Sequence, residues 1–128
     1  MTGPGRVLVA AYGVFALAAS ARATVQLVRD AGEAPLAYGL SAFAAAVYVV
    51  ATVALARPGP RARSLAWTAV SIEAFGVVAV GLASLLVPDA FPRATVWSGF
   101  GAGYGFVPAV LPWLGMLYLR RTGPVSSR

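Results

Sequence analysis

The chain has 128 residues, 59% of them hydrophobic and only 11% charged, and a mean hydropathy of +0.78. A soluble domain carries about a quarter charged residues, so this composition excludes a water-covered globule and defines an integral membrane protein, read as one domain over 1–128. The absence of Cys and His excludes disulfides and thiolate chemistry, and removes the commonest metal ligand and the usual base near neutral pH.

Four apolar segments follow in chain order, at about 7–28, 36–56, 65–87 and 101–119. Each has roughly the twenty residues needed to cross a hydrocarbon core of about 30 Å. Backbone groups cannot go unpaired in lipid, so each is expected to be a helix. "DAGEAP" separates the first two, with Pro35 suited to a first helical turn. "RPGPRARS" separates the second and third, with Ser64 as the expected N-cap. "PDAFPRATVWS" separates the last two. Short connectors make neighbouring helices antiparallel. The expected fold is therefore an all-α membrane protein, a four-helix antiparallel bundle. "ASARA" resembles a signal-peptidase site that would cut near Ala23, but apolar character resumes at Val25 and the even helix count agrees with the charge pattern below.

The net charge of +6 comes from ten arginines and no lysine. These fall mainly between apolar segments, so they read as topology signals rather than a nucleic-acid footprint. Arg6, Arg57, Arg61, Arg63, Arg120, Arg121 and Arg128 lie at one end of the bundle, and Arg29 and Arg93 at the other. That asymmetry places both termini in the cytoplasm. Trp67 and Tyr118 are expected at the inner interface, Trp97 and Tyr104 at the outer one.

Glu73, in "VSIEAFGVV", is the anomaly. By helical rise it lies about 13 Å from the inner end of the third span, and Tyr48 about 12 Å from the inner end of the second. The two are level, and a Tyr48–Glu73 hydrogen bond is expected. Tyr12, Phe15, Ala19, Arg22, Gln26 and Arg29 share one face of the first span; Ser41, Ala45, Tyr48 and Thr52 share one of the second; Ala66, Ala69, Glu73, Gly76 and Val80 share one of the third. These small or polar faces are expected to meet in the interior. A charge at the membrane centre costs about 2.5–3.5 kcal/mol on insertion scales, which pairing with Arg22 would offset across about 8 Å of depth. Arg22 has the alternative of snorkelling outward. The candidate intramembrane polar site is Glu73, Tyr48, Arg22 and Gln26. Its plain role is to tie helices together; its sharper role is a proton- or cation-binding carboxylate.

"GFGAGYGFVPAVLP" has Gly99, Gly101, Gly103 and Gly105 at alternate positions. Gly101 and Gly105, and Gly99 and Gly103, have the spacing that lets membrane helices approach closely. Pro108 and Pro112 are expected to kink the fourth helix. No strand precedes these glycines and no Lys follows, so they are not a phosphate cradle.

The segments "APLAYGLSAFAAAVYVVATVALAR", "SIEAFGVV" and "GYGFVPAVLPWLG" resemble a family of short, four-helix actinobacterial integral membrane proteins with no established function. The resemblance covers nearly the whole chain. It implies a bacterial plasma membrane and a multi-pass topology, and it implies no chemistry. The small multidrug-resistance transporters share the size and helix count, but their essential acid lies in the first helix, where this chain has Arg22. Fluoride channels also have four short helices, but their Asn- and Phe-containing motifs are not found here.

The expected function is a non-enzymatic accessory or assembly component. No cofactor, metal or nucleic acid is expected, and the partners are the lipid bilayer and either a second copy or another membrane protein. The alternative is a small proton- or cation-coupled transporter or channel that uses Glu73. An enzyme is the weakest reading, because only Tyr48 and Arg22 stand near the one carboxyl as acid–base partners.

Overall fold

The computed structural model describes residues 3–30, 35–87, 89, 97, 99–101 and 105–122. Within them are four helices: α1 (Gly3–Asp30), α2 (Pro35–Ala56), α3 (Pro60–Leu86) and α4 (Val107–Arg121). No strand occurs among the described residues. α1 packs on α2, α2 on α3 and α3 on α4, and α4 makes a lighter contact back to α1. Four residues separate α1 from α2, and three separate α2 from α3. Neither connector is long enough to return along a helix, so these neighbours run in opposite directions. At the far side, the Arg63 guanidinium near the start of α3 donates to the carbonyls of Leu119 and Thr122 at the end of α4. α4 is therefore also antiparallel to α3. The bond satisfies carbonyls that a helix C-terminus leaves open and sets a cation where its dipole is negative.

Among the described residues, three stretches are long and apolar enough to cross a membrane: Gly5–Gln26, Tyr38–Ala56 and Pro60–Leu86. The packing agrees with that reading. Side chains turned outward are large and apolar, including Leu17, Val28, Phe75, Leu86 and Trp113. Those turned inward are mostly small, with Ala16, Ala19, Ala44, Ala45, Ala51, Ala66 and Ala69 in the core. In water this distribution would leave a large apolar surface uncovered. In lipid the outside costs nothing, and small interior residues let helices approach closely. The three polar faces expected to meet are buried in part: Tyr12, Ala19, Ser41, Ala45, Tyr48, Ala66, Ala69, Glu73, Gly76 and Val80 are buried, while Phe15, Arg22, Gln26 and Thr52 are half-buried.

Three local expectations are corrected. Ser64 is not an N-cap. α3 starts a turn earlier, with Gly59 at the cap and Pro60 in its first turn, where a missing N–H costs nothing; Ser64 lies inside the helix and its carbonyl accepts from Thr68. The fourth helix begins at Val107 rather than near 101. Its 15 residues rise about 22 Å, short of a hydrocarbon core of about 30 Å. The reason is the glycine pattern. Gly99, Gly101 and Gly105 all have positive φ, as do Phe100 and Phe106, so these five residues are left-handed and do not form part of α4. Glycine enters such conformations without steric cost. Pro108 consequently sits in the first turn of α4, and only Pro112 is internal. Of the two expected kinking prolines, only one removes a helical hydrogen bond.

Trp97 is the third correction. It is buried, not interfacial. Gly76 leaves a notch on α3, and a Cβ there would lie 2.5 Å from Trp97 Cζ3. Phe100 fills a similar notch at Gly81. Trp97 and Phe100 are thus keyed onto α3 as two rings seated over two glycines. Glu33, Arg93, Gly103, Tyr104 and Arg128 lie outside the described residues.

Candidate functional site

All four helices contribute to one small polar centre. Glu73 projects from the buried stripe of α3 and has no exposed surface. Its Oε1 accepts a hydrogen bond of 2.6 Å from the Tyr12 hydroxyl of α1. Tyr48 of α2 is a second phenol acting on the same carboxyl, more weakly than Tyr12. The Trp97 indole N–H donates to the Tyr48 hydroxyl at 3.2 Å. α4 contributes by having nothing there: a Cβ on Gly115 would lie 3.1 Å from the Tyr12 hydroxyl and 3.2 Å from Val70.

The rings also pack on one another. The Tyr12 and Tyr48 centroids are 6.1 Å apart, those of Phe15 and Tyr48 6.0 Å, and those of Tyr48 and Trp97 6.4 Å. Separations of this size are favourable for tilted or offset rings. The centre therefore has a polar chain, Trp97 to Tyr48 and Tyr12 to Glu73, inside an aromatic wall. Buried polar groups are tolerated when hydrogen-bonded. One atom is left over: Glu73 Oε2 is buried and has no hydrogen-bond partner.

Of the four residues read as the site, the structure brings two together, Glu73 and Tyr48. Arg22 and Gln26 belong to the same face of α1 but sit farther along it. Their rises from Tyr12, the α1 residue that reaches the carboxyl, are about 15 Å and 21 Å. Arg22 is partly exposed. Gln26 keeps a buried Oε1 with no hydrogen-bond partner. Tyr12 is the functional neighbour that sequence reasoning passed over, although it heads the very stripe that contains Arg22. Trp97 is the other. Its signal was the glycine four residues into "EAFG", the notch that receives the ring.

Among the described residues no three His, Cys, Asp or Glu side chains come together as a metal-binding group. The chemistry open to the centre is hydrogen bonding through one carboxyl, two phenols and an indole. Compared with known families, curated proteins and solved structures, the chain has no match. What the fold defines is a helical protein with three helices long and apolar enough to span a membrane.

Proposed function

We propose that the chain is a multi-pass protein of a bacterial plasma membrane, crossing it four times with both termini in the cytoplasm. The fourth crossing includes α4. It works as a non-enzymatic accessory or assembly component that packs with a second copy or another membrane protein. The resemblance to short actinobacterial membrane proteins agrees with this setting. The observation that carries the reading is the enclosure of Glu73 by Tyr12, Tyr48 and Trp97. A carboxyl spent on its neighbours serves the bundle first, leaving the large apolar exterior as the surface through which the protein acts.

A second reading has one observation in its favour. The unpartnered Oε2 of Glu73 is an acceptor held in reserve, and an intramembrane acid is a default candidate for proton or cation transfer. One experiment separates the two. The protein is purified in mild detergent and also reconstituted for proton and cation flux, as wild type and as Glu73→Gln. The assembly reading expects a defined oligomer or a co-purifying membrane protein and no flux that Glu73→Gln abolishes. A lone monomer whose vesicles pass protons only with Glu73 intact overturns it in favour of transport.

A further inference from the structure

α1 and α4 pack only lightly on each other, and between them lies a groove of about 720 Å³. Val7 and Leu8 of α1 face Leu111, Leu114 and Leu117 of α4 along it. Tyr118, Arg121 and Thr122 stand at its mouth. The volume falls in the range of small-molecule sites, about 300–1,000 Å³. We propose that this groove holds one acyl chain of an anionic phospholipid from the leaflet facing the chain termini, with the lipid phosphate at Arg121.

Depth selects the occupant. From Leu111 to Thr122 the wall rises about 16 Å, close to half of a hydrocarbon core of about 30 Å. A transmembrane helix from a partner would need a seam running the full thickness; an acyl chain needs one leaflet. Charge selects the head group. Arg6, Arg120 and Arg121 are exposed at this end, while Arg63 is occupied with the α4 carbonyls. Among the described residues at this end, 3–11, 55–66 and 117–122, there is no Asp or Glu. The arginines there have no described acidic side chain beside them, which suits a phosphate. The Tyr118 hydroxyl and the Thr122 side chain add polar groups at head-group level. Glu73 does not line the groove, so the proposal holds whether the bundle serves assembly or transport.

The test is native mass spectrometry of the protein in mild non-ionic detergent, titrated with phosphatidylglycerol or with phosphatidylcholine of the same acyl chains. Wild type is expected to retain one phosphatidylglycerol about fivefold better than phosphatidylcholine, the gain of one arginine near a membrane surface. Arg121→Gln should bring that ratio close to one. Leu114→Trp fills the groove and should lose both adducts, while Val53→Trp, exposed on α2 and away from the groove, should keep them. Equal retention of the two lipids by wild type overturns the proposal, as does full retention by Leu114→Trp. A dimer that Leu114→Trp dissolves also overturns it, since the seam then belongs to a second copy. Arg121→Gln lies outside the packed interior and keeps the test open if Leu114→Trp does not fold.

Discussion

A single acid in an apolar run is legible at once, because its insertion cost demands an explanation. Its partners are less so. Counting backbone rise found Tyr48, which is level with Glu73, but not Tyr12, whose phenol reaches the carboxyl obliquely from a position nearer the start of α1. Rise also made Arg22 look reachable, since it says nothing about which part of α1 stands beside α3. The geometry orders the consequences of mutation. Tyr12→Phe removes the 2.6 Å bond and leaves both Glu73 oxygens short of strong donors. Interhelical bonds in membranes average about 0.6 kcal/mol, and an orphaned buried group costs about 1–3 kcal/mol; a loss of about 1–2 kcal/mol is expected. Glu73→Gln keeps an acceptor and should cost less. Glu73→Leu strands both phenols and should cost the most. Thermal unfolding in detergent reads all three, and equal melting temperatures for Tyr12→Phe, Glu73→Leu and wild type would remove this centre from the account of stability.

Helix existence was plain in the sequence, and helix ends were not. α3 begins at Pro60 instead of 65 because proline tolerates a first turn better than Ser64 competes for the cap. The glycines at 99, 101 and 105 were the harder case. Their alternation fits no helix face, and the structure shows why: they are turn residues with positive φ, ahead of a short α4. What holds that turn is contact with α3, which no local pattern encodes. Trp97 over Gly76 and Phe100 over Gly81 are ring-into-notch contacts between elements distant in sequence. Gly76→Ala should therefore act on the seat of Trp97 and not on α3, whose helix alanine favours. Overpacking of this kind costs about 1–3 kcal/mol. The expected signs are unchanged helix content, a red-shifted Trp97 emission relative to a Trp67→Phe, Trp113→Phe background, and faster proteolysis between α3 and α4. A variant as protected as wild type would mean that the ring is not seated there.

At the scale of the whole molecule, composition alone separated a lipid-facing exterior from an interior of small residues, and arginine placement separated the two ends. Neither says whether the last helix crosses. α4 is too short by itself, yet Arg63 binds its C-terminal carbonyls, so the end of α4 and the start of α3 share one end of the bundle. If α3 crosses, the chain must return before residue 122, and α4 forms the last part of that return. The absence of Cys makes this directly measurable with single cysteines at Arg61, Asp89 and Thr122. In intact cells, a membrane-impermeant thiol reagent should label Asp89→Cys and spare Arg61→Cys and Thr122→Cys, which should react only after permeabilisation. Labelling of Thr122→Cys from outside would leave α4 on the far surface and break its bond to Arg63. Labelling of Arg61→Cys and Thr122→Cys with Asp89→Cys protected would keep the bundle and invert it, against the orientation proposed from the seven-to-two division of arginines.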